Sequence, residues 1–311
     1  MADGELRAVD GLTYYVNKGE SVGLVGESAC GKSVSALSIM RLIPYPPGII
    51  MGGEIIFKGE DLLKSSDEEL RHIRGDRIAM IFQEPTTSLN PVFSINSQIS
   101  EALTVHRGLD KEAAKEETIK LLKLVGIPDA ERRAQDYPHQ FSGGMQQRIM
   151  IAMALSCNPE LLIADEPTTS VDVTVQAQLL ELIDNLRSQF GTAVIVITHN
   201  LGVVARYVDR VNVMYAGRLV ETGPTEVIYG QPCHPYTLGL MQSVPRLDLP
   251  RDRKLHVIDG LPPNLARLPQ GCYFHPRCEL ADDRCRREVP EMVEIGEEHS
   301  TACFKWTEVK I

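Results

Sequence analysis

The stretch that decides the fold is "GESACGKS", residues 26 to 33, which has the spacing GxxxxGK[ST]. It follows the apolar run "SVGLVG" and precedes "SVSALSIMRLI", whose apolar residues recur at helical spacing. A strand, a glycine-rich loop and a helix together bind phosphate, because backbone amides at the helix start point at the phosphate oxygens. The motif predicts a phosphate-binding loop, with Lys32 on the β- and γ-phosphates and the Ser33 hydroxyl on Mg²⁺.

The composition is ordinary for a globular protein, with 43% hydrophobic and 24% charged residues in 311. A net charge of −10 argues against a general nucleic-acid binder. No apolar run approaches the ~18 residues of a membrane span, and the first residues lack the features of a signal peptide. We therefore expect a cytosolic protein, whose seven cysteines are free thiols or metal ligands rather than disulfides.

The pattern of strands and helices changes along the chain. Short strand patterns, including "LTYYV", come first, and amphipathic helical patterns occupy about residues 84–158. Strand and helix then alternate again, which favours an α/β core with a mainly parallel sheet and an inserted helical subdomain. Beyond residue 225 the chain becomes rich in proline and charge and holds five of the seven cysteines. We expect a first domain over 1–225 and a separate C-terminal extension over 226–311.

Several further motifs place polar residues or glycines at the ends of predicted strands and helices. Each motif alone could have a purely structural role. "LLIADE" is an apolar strand that ends in two carboxylates, and "FSGGMQQR" places a serine and two glycines before a helix. Gln83 and His199 each follow a predicted strand. Their order along the chain is that of an ATP-binding cassette, and on these motifs the chain resembles the ATPase subunits of ABC transporters over nearly its whole length.

The resemblance implies a fold and a set of roles. The fold is the α/β P-loop core of ABC ATPases, with a mainly parallel sheet, an antiparallel β-subdomain, an inserted helical subdomain and a small cysteine-containing extension. The reaction is hydrolysis of ATP, coupled to movement of a solute. The catalytic residues are Glu166, which polarises water, His199 and Gln83. Mg²⁺ is held by Ser33, Gln83 and Asp165.

The resemblance also implies two sets of ATP-binding residues. The Walker A set, which binds the chain's own nucleotide, is Gly26, Ser28, Ala29, Cys30, Gly31, Lys32, Ser33 and Val34. The second set binds ATP held by a partner cassette, through the signature motif and the D-loop "SVD" (Ser170 to Asp172). It consists of Ser142, Gly143, Gly144, Met145, Gln146 and Asp172.

Three segments narrow the resemblance to one branch of the family. "FQEPTTSLNPV", "PHQFSGGMQQRIMIAMAL" and "HPYTLGLMQSVP" are similar to the ATPases of dipeptide, oligopeptide and nickel importers, and most similar to the D-type subunit of dipeptide systems. The resemblance implies a peripheral subunit on the cytoplasmic face of the membrane that powers peptide import. The alternatives are import of nickel or another small solute, and a soluble ABC ATPase without a transport role.

The same branch implies a set of partners. They are two transmembrane permease subunits and a second, paralogous ATPase, with a homodimer as the form in isolation. An extracytoplasmic solute-binding protein acts with the permeases, and no nucleic acid is expected.

The sequence departs from the family at three places. Relatives carry an adenine-stacking aromatic residue before the segment "DGELRAVDG", whereas Tyr14 and Tyr15 follow that segment and neither matches it. Ala29 stands where the family usually has glycine, and a methyl group there restricts the loop. Asn200 stands where relatives usually have aspartate, which removes a charge.

Four of the seven cysteines fall within 32 residues near the end of the sequence: Cys272, Cys278, Cys285 and Cys303. Their spacing matches neither ordinary zinc sites nor common ferredoxin runs, so four unrelated thiols remain an alternative. The resembling peptide-transporter ATPases carry this pattern and, in several, a [4Fe–4S] cluster. The resemblance therefore implies a [4Fe–4S] cluster here, with Zn²⁺ as the alternative, and we expect it to lie far from the nucleotide.

Overall fold

The structure, a computed structural model, describes residues 6–84, 88–168, 172–244 and 257–310. They belong to two compact units. The first contains Ser21–Leu37, the described residues before Val16 and those from Ile197 onward, and the second contains Val16–Glu20 and Ser38–Val196. The proposed boundary at residue 225 therefore falls inside the first unit, which holds both the phosphate-loop motif and the four-cysteine extension.

The described strands are short, and several are fully buried. They are β1 (Ser21–Val25), β2 (Ile56–Phe57), β3 (Glu60–Asp61), β4 (Ile78–Ile81), β5 (Leu161–Asp165), β6 (Ala193–Thr198), β7 (Arg210–Tyr215), β8 (Arg218–Pro224), β9 (Val293–Gly296) and β10 (His299–Thr301).

The described helices are longest between β4 and β6. They are α1 (Lys32–Ile39), α2 (Asp67–Ile73), α3 (Ile95–Arg107), α4 (Lys111–Leu124), α5 (Ala130–Arg133), α6 (Gly143–Leu155), α7 (Val173–Phe190), α8 (Leu201–Val204), α9 (Thr225–Gly230), α10 (Pro235–Gln242) and α11 (Asp283–Arg287). None of them is both long and apolar enough to cross a membrane.

The sheet of the first unit is mixed. Strand β1 pairs parallel with β7, and every residue of both strands is buried. Burial on both faces explains why these strands are continuous apolar runs rather than alternating ones. β8 then pairs antiparallel with β7, and the extension adds β10 and β9 beyond β8. The extension is thus attached to the sheet of this unit through backbone hydrogen bonds.

The second unit confirms the helical insertion. Strands β4 and β5 are parallel neighbours, and the helices α3 to α6 lie between them in the chain. Helix α3 begins after Ser94, whose side chain accepts from the Ser97 amide, and ends at Gly108 in the left-handed conformation. Asp110 caps α4 in the same way. These caps satisfy backbone groups that have no partner within a helix.

One predicted strand does not form. The segment "LTYYV" is irregular in the structure, and a side chain holds it instead of a ladder. The Arg210 guanidinium lies 3.9 Å from the centre of the Tyr15 ring and donates to the Tyr15 carbonyl at 2.6 Å. The prediction was wrong because alternating β-branched and aromatic residues report a half-buried surface, not a hydrogen-bonded ladder.

Candidate functional site

The phosphate-loop motif forms the predicted loop between β1 and α1. A Cβ atom on Gly26 would lie 2.1 Å from the Met214 carbonyl oxygen, and one on Gly31 would lie 2.1 Å from that of Ala8. Both glycines also have a positive φ, of 157° and 101°. Only glycine fits at these positions, so the loop is drawn tightly against its neighbours and presents its backbone to a ligand.

Hydrogen bonds to backbone carbonyls of the loop hold the Lys32 side chain in place. Its side-chain nitrogen donates to the carbonyls of Gly26 at 2.8 Å and Glu27 at 2.9 Å, and it lies 3.7 Å from the Cys30 sulfur. Lys32 is buried, as is Cys30. Burial raises the pKa of the Cys30 thiol, and the charge of Lys32 opposes this shift.

Ala29 adopts the left-handed conformation, with φ of 62°. A residue with a Cβ atom in this region costs roughly 1–2 kcal/mol relative to glycine. The departure noticed in the sequence therefore has a physical consequence, because the loop stores strain at Ala29.

The second unit brings Gln83 and Glu166 together. Gln83 follows β4 and Glu166 follows β5, and the Gln83 side-chain amide donates to the Glu166 carboxylate at 2.9 Å. Asp165, the last residue of β5, is 5% exposed. Glu166 has φ of 46°, a conformation that is rare outside glycine and is concentrated at functional sites. Two carboxylates and an amide at one strand edge can hold a hydrated cation and orient a water.

The signature motif lies at the start of α6. Ser142 is the N-cap residue, it makes no side-chain cap hydrogen bond, and both Ser142 and Gly143 are exposed. The first amides of a helix have no partner within it and attract anions. A Cβ atom on Gly144 would lie 3.2 Å from Val175, so the third position of the motif is packed closely.

The other two signature residues act within their own unit. The Gln146 side chain donates to the carbonyls of Pro138 and Phe141, at 2.8 and 3.3 Å, and is buried. The Met145 sulfur accepts from Arg133. Gln146 therefore holds the signature loop in place, and it does not present its amide to a ligand in this structure.

Asp172 of the D-loop directly precedes α7, and His199 directly follows β6. Asp172 accepts hydrogen bonds from the amides of Thr174 and Val175, both at 3.0 Å, and so caps α7. Residues 170 and 171 of the D-loop lie outside the described residues. His199 directly follows β6, in the first unit, and its side chain is exposed.

The four cysteines of the extension converge. Cys272, Cys278, Cys285 and Cys303 all line one cavity, together with Phe274 and other residues. A backbone hydrogen bond of 2.8 Å from Cys272 to Cys285 holds two of their segments together. Burial, with the neighbouring thiols, raises the pKa of Cys278 to about 11 and that of Cys303 to about 12. Thiolates in this cavity therefore need a bound cation to stabilise them. All seven cysteines are free thiols.

The spacing of these thiols differs from that of a single-ion site. Among the described residues, only Glu221, Cys233 and His299 form a trio whose candidate ligand atoms all lie within 4.8 Å of one another. A tetrahedral zinc site brings its thiolates to about 3.8 Å from one another, since each Zn–S bond is about 2.3 Å. Among the described residues, no three of the four tail thiols lie within 4.8 Å of one another.

The trio itself is a hydrogen-bonded centre. The Glu221 carboxylate accepts from the amides of Cys233 at 2.6 Å and His234 at 3.0 Å. It also contacts the His299 ring nitrogen at 2.9 Å. These partners use the lone pairs that a metal would need, so Glu221 ties β8 to β10 and to the segment before α10.

The extension also reaches the phosphate loop. The guanidinium of Arg277, the residue before Cys278, contacts the Glu27 carboxylate through two hydrogen bonds, of 2.6 and 2.9 Å. The expectation that the thiol site would lie far from the nucleotide loop is therefore wrong. Sequence reasoning missed this pair because nothing in the sequence links a loop glutamate to an arginine 250 positions away.

The two tyrosines near the start have different surroundings. One face of Tyr15 is covered by Arg210, as described above, and Tyr14 lies in a half-buried position, with its hydroxyl buried. That neither matches the adenine-stacking aromatic residue of relatives stays a prediction from the sequence.

Comparison with known proteins identifies two family regions. Residues 9–169 match the ABC transporter model, and residues 220–285 match the C-terminal region of oligopeptide/dipeptide transporters. The dipeptide transport ATP-binding protein DppD of Bacillus subtilis is 50% identical over 301 residues, which is 97% of this chain and 90% of that protein. The oligopeptide transport ATP-binding protein OppD of the same organism is 49% identical over 296 residues, which is 95% and 83%.

A solved structure has the same fold. The dimeric structure of MJ0796, a bacterial ABC transporter cassette, is 28% identical and superposes with a TM-score of 0.64. The superposition covers 72% of this chain and 94% of that one.

Proposed function

The chain belongs to the ABC transporter family, and we propose that it is the ATP-hydrolysing subunit of a dipeptide or oligopeptide importer. The observation that carries the proposal is the match of residues 220–285 to the C-terminal region of oligopeptide/dipeptide transporters, since the cassette motifs alone fit any member of the family. In this role the chain is a peripheral subunit on the cytoplasmic face of the membrane.

The proposed partners follow from the same branch of the family. Two transmembrane permease subunits form the path, a paralogous ATPase or a second copy of this chain completes the ATP sites, and a solute-binding protein delivers the solute from outside. The exposed start of α6 supports a second cassette, because its free amides point to a phosphate that another chain supplies.

The phosphate side of the reaction rests on charge and position. Lys32, already held over the loop, neutralises the β- and γ-phosphates. Ser33, Gln83 and Asp165 would hold Mg²⁺, because their side-chain oxygen atoms are ligands of the kind that it prefers. Mg²⁺ stabilises the charge that develops on the transferred phosphoryl group.

The water side rests on the pair Gln83 and Glu166. The Glu166 carboxylate accepts a proton from, and orients, the water that attacks the γ-phosphate. The Gln83 amide fixes the carboxylate through the hydrogen bond of 2.9 Å. His199, exposed after β6, donates to the γ-phosphate. Such a site accelerates the reaction mainly by positioning and electrostatic stabilisation.

Solute uptake by living cells tests the proposed function. A strain that lacks the gene should lose uptake of a labelled dipeptide or oligopeptide, and the wild-type gene should restore it. The Glu166→Gln variant should not restore uptake, whereas Glu181→Gln, an equal change at an exposed position of α7, should restore it. Loss of nickel uptake with peptide uptake intact would favour the nickel alternative. A strain with neither defect would argue against a transport role.

Dependence of activity on protein concentration tests the need for a second cassette. ATPase activity per molecule should fall on dilution, because the signature of one chain completes the site of another. Constant activity into the low nanomolar range would show that one chain is sufficient.

For the extension we propose that Cys272, Cys278, Cys285 and Cys303 hold a [4Fe–4S] cluster. Support comes from their shared cavity and from a spacing wider than a single zinc ion needs. Protein purified without oxygen should be brown and absorb broadly near 400 nm, and Cys278→Ser should lose this colour. Colourless protein with one zinc per chain would replace the cluster by zinc, and protein without metal would leave four separate thiols.

A further inference from the structure

We propose that Arg277 is a positioning residue that couples the four-thiol cavity to the phosphate loop, so that a metal centre in the cavity tightens nucleotide binding. The proposal rests on the preceding one, that the four thiols hold one metal centre. It adds a regulatory link that runs through Glu27, the second residue of the phosphate loop.

The first step is the contact between Arg277 and Glu27. The two nitrogen–oxygen distances of 2.6 and 2.9 Å form a two-pronged ion pair. The Arg277 side chain is 5% exposed and that of Glu27 is 25% exposed. A bidentate pair shielded from water fixes direction as well as distance, and solvent screens it weakly. Glu27 is therefore oriented by the extension.

The second step is that Glu27 is also held through its backbone. Its amide donates to the Tyr236 hydroxyl at 2.7 Å, and the Tyr236 side chain is completely buried. The Tyr236 ring packs against Phe274, with ring centres 5.4 Å apart, and Phe274 lines the four-thiol cavity. A packed side-chain path thus leads from the cavity to the same residue that Arg277 contacts.

The third step is that the extension forms one wall of a cleft beside the loop. The cleft has a volume of about 330 Å³. Ser28, Ala29 and Cys30 of the phosphate loop line one side, and Pro262 and Asn264 of the extension line another. The strained residue Ala29 lies on the loop side of the cleft. A shift of the extension therefore changes the space next to this strained residue.

The fourth step links Arg277 to the thiols. Arg277 ends the 3₁₀ turn His275–Arg277, and its amide donates to the Phe274 carbonyl at 3.0 Å. Cys278 is the next residue, and Cys272 precedes the same turn. A metal centre that binds both cysteines fixes the two ends of this turn and hence the start of the Arg277 side chain. The Arg277 side chain, which also donates to the Asp259 carbonyl at 3.0 Å, and the packing of Phe274 hold the turn as well, so the metal adds a constraint at each of its two ends.

Affinity for nucleotide tests this coupling. In the full-length Glu166→Gln protein, which should bind MgATP without hydrolysing it, the dissociation constant is measured for Arg277→Gln and Arg277→Lys. We expect Arg277→Gln to weaken binding by about 5- to 150-fold, the usual range of coupling between two sites. The affinity of Arg277→Lys should lie between those of the parent and Arg277→Gln, because lysine keeps the charge but cannot make the bidentate contact with Glu27. Arg287→Gln, which removes an exposed arginine of the same extension whose side chain bonds, among the described residues, only to the Asp283 carbonyl, should bind like the parent.

Two further variants separate a positioning role from a merely structural one. Cys278→Ser should weaken MgATP binding on its own but should not weaken it further in the Arg277→Gln background, because both act on one path. Glu27→Gln keeps the shape of the loop residue and should reproduce the effect of Arg277→Gln if that variant is not folded. A folded Arg277→Gln protein with the parent's affinity would overturn the proposal. It would also be overturned if the fold-changes in dissociation constant caused by Cys278→Ser and Arg277→Gln multiplied in the double variant.

Reciprocity gives a readout that does not involve nucleotide affinity. If the metal centre tightens nucleotide binding, MgATP must raise the equilibrium affinity for the metal by the same factor, so a competing chelator removes less metal at equilibrium. This protection should be present in the parent and absent in Arg277→Gln. Protein that carries no metal after oxygen-free purification would contradict both the metal centre and its coupling to nucleotide binding. The dissociation constant of Arg277→Gln would then still decide whether Arg277 positions the loop.

Discussion

The side-chain amide of Gln83 donates a hydrogen bond of 2.9 Å to the carboxylate of Glu166. Their strands are parallel neighbours, with Ile81 opposite Ala164, and each polar residue lies two positions beyond that pair. Equal offsets from a paired position bring both side chains to the same edge and the same face of the sheet. The proximity of Gln83 and Glu166 is therefore a consequence of strand register.

Replacing Glu166 by glutamine should leave binding of MgATP intact and nearly abolish turnover. Glutamine has the same shape but cannot accept the proton of the attacking water, so kcat should fall by about 10²- to 10⁴-fold. Steady-state phosphate release measures turnover, and equilibrium binding measures affinity. Glu181→Gln is the control, and a Glu166→Gln protein with most of its ATPase rate would contradict the assigned role.

Removal of the Gln83 amide should reduce kcat more than it changes affinity. Gln83→Ala leaves Glu166 without the donor that fixes its orientation, and loss of a hydrogen bond to a charged group costs about 1.5–3 kcal/mol. We therefore expect kcat to fall by about 10- to 150-fold. Gln83→Glu should fall at least as far, because two carboxylates would repel each other. Equal rates for Gln83→Ala and wild type would show that the hydrogen bond seen here does not serve catalysis.

Lys32→Ala should instead lose nucleotide binding. The ammonium group is held over the loop by the carbonyls of Gly26 and Glu27, where it meets the phosphates without reorganisation. Loss of hydrogen bonds and charge at this point should weaken MgATP binding at least about a hundredfold. Lys18→Ala, at an exposed position, is the control. If Lys32→Ala bound MgATP like wild type, the loop would not be the phosphate site.

The strand–loop–helix around residues 26–33 could be predicted because its signals are local. The spacing of the motif lies within eight consecutive residues, and the helical pattern after Lys32 is clear. The same holds for the helical insertion, where Ser94 and Asp110 mark helix starts as caps. Local patterns report local structure, and they predicted these parts well.

The extension could not be predicted in the same way. Strands β9 and β10 are short and polar, and they exist because β8 offers an edge for backbone hydrogen bonds. The pair of Glu27 and Arg277 depends on that attachment, since it joins residues 250 positions apart. Interactions of this kind follow from tertiary packing, which overrides weak local preference.

Ala29→Gly should stabilise the protein. Glycine removes a left-handed penalty of roughly 1–2 kcal/mol and restores about 0.5–1 kcal/mol of chain entropy to the unfolded state. The net gain in the free energy of unfolding should be about 0.5–1 kcal/mol, measured by denaturant titration without nucleotide. Ala102→Gly, within α3, should have the opposite effect and cost about 1 kcal/mol. A loss of stability in Ala29→Gly would contradict the strain inferred from φ of 62°.

His234 should make stability fall in mild acid. It is almost fully buried, and its ring nitrogen Nδ1 accepts a hydrogen bond from the Tyr236 amide at 3.1 Å. Burial lowers the pKa of His234 to about 4, and the charge of Glu221 opposes this shift only in part. In the unfolded chain the pKa is about 6.5, so between pH 6.5 and 4 the unfolded state binds a proton that the folded state does not.

Because the unfolded state takes up this proton, the free energy of unfolding falls as the pH is lowered through that window. Between pH 7 and pH 5, His234 should lower the free energy of unfolding by about 2 kcal/mol. Above pH 7 this loss should be absent. His234→Asn removes the titration while its oxygen can still accept from the Tyr236 amide as a helix cap. Denaturant unfolding at both pH values should therefore show a smaller loss in His234→Asn than in wild type. Equal losses in the two proteins would mean that the pKa of His234 does not differ between the folded and unfolded states, against the burial and the hydrogen bond that hold it neutral.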